Sequence, residues 1–306
     1  MRYLPDSKYL KAKFLLKSFF YCLLVIFILF FIFYFLFLKP PSAFKAGAIK
    51  TISVGESLRG LSRELKDEGY ISSRLAFESF VIMYGGERHI MPGDYLFKTK
   101  LPVYELARRI SFGKRGFEAI KVTIPEGWNR QEIASFLETK LPTFKSESFL
   151  DLTLGREGYL FPDTYFFFPT VLEEDVAESM EDNFEKKIAP IRIKIKEAGK
   201  SEKDIITMAS IIEREASGDT DREYISGILW KRLSIGMALQ VDAWPETYKE
   251  RGLPDHPIAN PGLKAINAAL FPKTTNYLYY LHAPDGSIHY ARNFAEHKAN
   301  KLRYLK

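Results

Sequence analysis

The sequence predicts an α+β protein carried on one apolar N-terminal helix, with a small α+β module and then a larger mixed α+β domain. Three observations lead there. Residues 18–38 are an unbroken run of 21 residues without a charge. Beyond residue 50, short stretches alternating with the strand period are interleaved with longer stretches of helical period, the pattern of a mixed architecture. The excess positive charge is confined to the start of the chain, so the remainder has the balance of an ordinary folded domain.

The apolar run, as a helix, spans about 31 Å, the thickness of a bilayer's hydrocarbon core. A helix without a polar face does not lie on the surface of a water-soluble fold. Residues 1–17 carry Arg2, Lys8, Lys11, Lys13 and Lys17 against Asp6, a bias that keeps this tail in the cytoplasm and puts the bulk of the chain outside. Ala46-Gly47-Ala48 has the small residues of a cleavage site, but it lies well past the end of a run already too long for a secretory signal. The segment therefore reads as an uncleaved single-pass anchor in the cytoplasmic membrane. Of the net charge of +6, residues 1–50 supply eight Lys or Arg and one acid, which leaves 51–306 close to −1. Such a balance gives no basic face for nucleic acid. The one cysteine, Cys22, lies inside the span, so no intrachain disulfide forms.

Lys39-Pro40-Pro41-Ser42 makes a stiff exit into a linker over 39–50. The module at 51–120 opens with the alternating Ile52-Ser53-Val54. A helix carrying Leu58, Leu61 and Leu65 follows and closes at Gly69. A second helix over 73–84, a strand after Pro92-Gly93 and a third helix over 102–112 complete it. The domain at 121–306 begins in an alternating strand at 119–124, turns at Pro125-Glu126-Gly127-Trp128 and continues as a helix over 130–141. An aromatic-dense, buried stretch covers 158–169, and helical segments follow at 174–187 and 190–199.

Residues 201–217 carry the candidate chemistry. Ser201 is a helix cap and Gly218 a stop. At 100° per residue, Ile205, Met208, Ala209, Ile211 and Ile212 form one apolar stripe. Glu215 falls inside it and Glu213 points away, toward a solvated face. A carboxyl at the end of a buried stripe is favoured in its protonated form, which is what the departing oxygen of a glycosidic bond needs. The spacing leaves a second reading open, a helix-terminal Glu paired with a cation such as Arg222. Further on, Leu239-Gln240-Val241-Asp242 alternates like a strand with its polar members on one face, and the loops containing Thr247, Tyr248 and Asn260 are rich in hydrogen-bonding groups. The five histidines (His89, His256, His282, His289 and His297) show no paired-ligand spacing. His289 and His297 read as structural. No nucleophile elbow, phosphate loop or dinucleotide fingerprint is present.

Over nearly its whole length the chain resembles the endolytic murein transglycosylases of the MltG (YceG-like) type. The resemblance rests on blocks in a fixed order: Gly55-Glu56-Ser57-Leu58, Pro92-Gly93-Asp94-Tyr95, Ile124-Pro125-Glu126-Gly127, and Glu157-Gly158-Tyr159-Leu160-Phe161-Pro162-Asp163-Thr164-Tyr165. They continue with Met208-Ala209-Ser210-Ile211-Ile212-Glu213-Arg214-Glu215, then Gly236-Met237-Ala238-Leu239-Gln240-Val241-Asp242 and Gly252-Leu253-Pro254. Pro257-Ile258-Ala259-Asn260-Pro261-Gly262, Tyr277-Leu278-Tyr279-Tyr280 and Phe294-Ala295-Glu296-His297 complete the series.

The resemblance implies a LysM-like module and an enzyme that cuts peptidoglycan strands internally, between N-acetylmuramic acid and N-acetylglucosamine. The cut leaves a 1,6-anhydro end, and no metal or cofactor is used. It implies Glu215, the second Glu of the Glu-x-Glu pair, as the single acid/base, with Glu213 supporting it by holding a loop or an Arg. Gln240, Asp242, Thr247, Tyr248 and Asn260 are the candidates for holding the glycan. Cell-wall synthesis proteins are the implied partners. One departure stands out: between Ala243 and Trp244 the family carries an insertion that this chain lacks, and Glu246-Thr247-Tyr248 stands where relatives read Asn-Thr-Tyr. Two alternatives follow, a glycan-binding scaffold with an incomplete cleft and a hydrolase that leaves reducing ends.

Overall fold

The computed structural model describes residues 7–86, 89–216, 218 and 221–305, and the chain divides into two compact units, Met1–Glu118 and Ala119–Lys306. The architecture is α+β throughout, with three separate two-stranded antiparallel sheets among the described residues.

The first unit starts with helix α1 (Ser7–Phe33), continued by one π-turn over Tyr34–Leu38. Within α1, Leu16–Phe33 has a mean hydropathy of 2.6 and none of it is buried; among the described residues this is the one helix long and apolar enough to cross a membrane. The following stretch, 39–48, is pinned to the module it leads into. Phe44 is 4% exposed, its ring 5.1 Å from that of Tyr70 and 6.2 Å from that of Phe97. The Lys39 carbonyl accepts from Ser72 Oγ, the Ser42 carbonyl from Lys100 Nζ and the Phe97 carbonyl from Gly47 N.

The module itself runs β1 (Ile49–Ile52), α2 (Leu58–Asp67), α3 (Arg74–Met83), β2 (Gly93–Leu96) and α4 (Val103–Ser111). β1 and β2 pair with Ile49 opposite Leu96. Ser57 caps α2 by accepting from Gly60 N, and Ser73 caps α3 by accepting from Ala76 N. The expected stripe of Leu58, Leu61 and Leu65 enters the core with Phe77, Tyr95 and Leu106.

In the second unit β3 (Ile120–Thr123) pairs with β4 (Thr164–Phe167). Between them lie α5 (Arg130–Lys140) and α6 (Ser146–Leu152), and after them α7 (Glu173–Ile188) and α8 (Arg192–Glu197). Alternation places Tyr165 and Phe167 inside and leaves Phe166 outside. The second half consists of α9 (Glu202–Glu215), α10 (Arg222–Ser234), α11 (Leu263–Leu270), the hairpin β5 (Tyr279–His282) with β6 (Ile288–Ala291), and α12 (Phe294–Tyr304).

α9 is the hub, and its packing is the first of two corrections to the sequence expectations. Ser201 caps it as predicted. Every residue from Ile205 to Ile212 is buried, however, because α10, α11 and the 257–262 loop cover the sides that a one-stripe reading leaves to water. The strand expected at 239–242 is the second correction. Leu239 and Val241 are buried with Gln240 and Asp242 turned outward, but among the described residues 239–242 forms no strand. A 3-10 turn over Pro245–Tyr248 satisfies this stretch instead, with Gln240 N donating to the Thr247 carbonyl and Val241 N to Thr247 Oγ1.

Candidate active site

The last turn of α9 sends three consecutive side chains to three places. Glu213, expected on a solvated face, has a side chain only 3% exposed. The same all-round packing of α9 is the reason. One of its oxygens accepts from Arg222 Nη2 at 2.9 Å and the other from Gly262 N at 2.9 Å. It therefore holds both an Arg and a loop, and Arg222 pairs with Glu213, not with Glu215. Arg214 donates to the Gly127 carbonyl and to Glu132.

Glu215 turns into a cavity of about 470 Å³, lined with it by Arg232, Gln240, Asp242, Tyr248, Tyr279, Tyr280, His282, His297 and neighbouring residues. Its two oxygens have separate donors: Ala243 N at 3.0 Å to Oε1, and the Tyr280 hydroxyl at 2.8 Å to Oε2. Burial, and then the adjacent Glu215 carboxylate, hold the Tyr280 phenol well above its ordinary pKa, so it stays a donor. Glu215 is thus held in one orientation by groups from 28 and 65 residues away in sequence.

Of the residues read as glycan-holding, three line this cavity. Gln240 has φ +49°, the one positive φ at a residue other than Gly among the described residues, a conformation that costs energy and gathers at functional sites. Asp242 accepts from the Tyr248 hydroxyl at 2.6 Å. That bond, with burial behind it, pushes the Tyr248 pKa up to about 12.

The other two do not reach it. Thr247 is buried, its hydroxyl tied to Val241 N and the Trp244 carbonyl. Asn260 is fully buried as well. Its carbonyl oxygen accepts from Gly158 N and Leu160 N, and its amide donates to the Trp128 carbonyl and Glu157 Oε1. Every hydrogen-bonding group of these two side chains is spent inside the protein, so both serve the frame.

Sequence reasoning left several lining residues without a role. Arg232 is 4% exposed, spends Nε and Nη1 on the Leu278 and Leu239 carbonyls, and lies 5.1 Å from the Tyr279 ring centre. His282 faces Asp221 at 3.4 Å. His297, read as structural, lines the cavity and stacks on Tyr279, and its Nδ1 is buried without a partner among the described residues. Burial, with Lys301 and Arg232 nearby, lowers its pKa. The available signal was the order of the blocks at 277–280 and 294–297, which marked these stretches without saying what they face.

Taken alone, this is an α+β domain with an oriented carboxylate in a tyrosine-lined cavity, an arrangement suited to acid/base chemistry on a polyhydroxylated ligand. Comparison with known proteins makes the class specific. Residues 50–244 and 246–303 match the YceG-like family, and the chain belongs to that family. The break in the match falls at Pro245, next to the Ala243–Trp244 junction.

Among its relatives, the endolytic murein transglycosylase of Bacillus subtilis (strain 168) is 27% identical over 303 residues, covering 83% of this chain and 84% of that protein. The protein of the same name from Streptococcus pneumoniae (serotype 2, strain D39) is 22% identical over 318 residues, covering 83% of this chain and 58% of that one. A solved structure of a YceG-like protein from Listeria monocytogenes superposes with a TM-score of 0.56 at 26% identity, covering 82% of this chain and 98% of the other.

Proposed function

We propose that this protein is a membrane-anchored lytic transglycosylase that cuts peptidoglycan strands between N-acetylmuramic acid and N-acetylglucosamine, with Glu215 as its acid and base. The observation that carries this reading is the pair of donors, Ala243 N–H and Tyr280 O–H, that fix Glu215 in the cavity. The protonated carboxyl gives its proton to the departing glycosidic oxygen. The carboxylate so formed takes the proton of the muramic 6-hydroxyl as that oxygen closes on the anomeric carbon. One proton leaves and one returns, the internal hydroxyl stands in for water, and a second catalytic carboxylate is not required. Gln240, Asp242 and Tyr248 present the polar groups that meet the sugar.

The β-α-α-β order of residues 49–96 supports a LysM-like module within 51–120, with the catalytic domain at 121–306. Leu16–Phe33 serves as the anchor, and the basic tail before it lies on the cytoplasmic side. The partners are peptidoglycan strands, the membrane and cell-wall synthesis proteins.

Mass spectrometry of peptidoglycan digested by the full chain in detergent micelles tests this, wild type beside Glu215→Gln. Anhydro-muramyl ends from the wild type, with the variant slower by about a hundredfold or more, are the expected result. Reducing ends would make the protein a hydrolase. Binding of strands without cleavage would make it a scaffold.

A further inference from the structure

Helix α10 turns two faces to different places. Arg232 lies on its buried, otherwise apolar face with Ile225, Ile228 and Leu229, and reaches the Glu215 cavity. About 150° around the axis, Gly227, Trp230, Lys231 and Ser234 form a stripe at i, i+3, i+4 and i+7. This second face, with the loop over 272–276 and Lys200, encloses a groove of about 810 Å³.

The groove is built with care. A Cβ on Gly227 would stand 2.0 Å from the Lys273 carbonyl oxygen, so only glycine lets the loop lie on the helix. Lys273 N donates to the Glu223 carbonyl at 3.0 Å and fixes the loop there. Three lysines line the groove. Lys200 Nζ lies 4.6 Å over Trp230, Lys273 Nζ lies 4.3 Å over Tyr224, and Lys231 Nζ donates to the Thr275 carbonyl. None of the three has a carboxylate partner among the described residues, and the lining contains no Asp or Glu. In a chain whose residues 51–306 sum to about −1, such a cluster does not follow from composition. Ring and carbonyl contacts already hold the lysines, so less side-chain freedom is lost when an anion arrives.

We propose that this groove binds the carboxylates of the peptides borne on the glycan strand whose sugar sits at Glu215. The inference rests on the function proposed above. The two faces are separated by about one helix diameter, roughly 10 Å, a distance that an extended branch of three or four residues spans.

The test uses the full chain in micelles and a Lys200→Gln/Lys231→Gln/Lys273→Gln variant, which leaves the Glu215 cavity intact. Cleavage rates at low substrate are compared on strands with their peptides and on strands stripped of them by an amidase. The wild type is expected to favour peptide-bearing strands by about tenfold, and the preference is expected to fade between about 0.1 M and about 1 M salt. The variant is expected to treat both strands alike, at the wild-type rate on stripped ones. An unchanged preference in the variant would overturn the proposal. Should the wild type cleave neither, the function proposed above fails, and titration of free stem peptide followed by Trp230 fluorescence still decides this one. Binding lost in the variant supports it; equal binding, or inorganic phosphate displacing the peptide at lower concentration than free peptide does, overturns it.

Discussion

Glu215 takes its donors from two stretches of chain remote from α9, and each donor is testable by itself. Tyr280→Phe keeps the ring in its half-buried place and deletes one O–H···O⁻ bond. Such a bond to a charged group is worth about tenfold to a hundredfold in rate when it orients a catalytic carboxylate. The expected outcome is a fall in kcat of that size with KM unchanged, read from steady-state cleavage of purified strands. Asn260 behaves differently. Asn260→Ala strands the Gly158 and Leu160 amides and removes one of the two donors to Glu157, leaving Arg130 N, so the expected loss is in stability, about 3 kcal/mol in a denaturant titration. A loss confined to KM would return Asn260 to the glycan-holding set.

Among the elements, Gly158 shows how closely the loops approach α9. Its φ is +89°, and a Cβ there would stand 2.5 Å from Pro257 Cβ and 3.0 Å from Ile206. Gly158→Ala meets backbone strain and overpacking together and is expected to cost about 3 kcal/mol, again by denaturant titration. The helix start at Ser201 was legible in the sequence because capping is local. So was the strand at 120–123, because alternation is local too. The partition of Glu213 from Glu215 was legible only in half: helical angle says which side a residue points to, and not what waits there. Glu213 meets Arg222 and the Gly262 amide, and Glu215 meets the 243 turn and β5, all placed by contacts that no short window of sequence contains. Thr247 and Asn260 looked like ligands because polar loop residues do, and it is burial that assigns them to the frame.

On the scale of the whole molecule, both units hold a buried phenol that titrates late. Tyr95 in the first and Tyr165 in the second are pushed up to about 12 by burial. An unfolded chain releases those protons near pH 10 and the folded one keeps them, so folding stability is intact below about 10 and falls as the pH rises toward 12. Thermal unfolding followed across that window is expected to show a declining midpoint, with a shallower decline in Tyr95→Phe and Tyr165→Phe.

The pinned stretch 39–48 has a mechanical consequence if Leu16–Phe33 is the anchor proposed above. Phe44 locks it into the core of the module, and three backbone groups are tied down beside it. A leash would let the module wander through a hemisphere above the lipid. This joint has no slack and behaves as a bracket, so the pitch of the span becomes the pitch of the module. A span tilts further in a thinner bilayer, and bilayer thickness then becomes a dial that leans the first unit toward or away from the surface on which it stands.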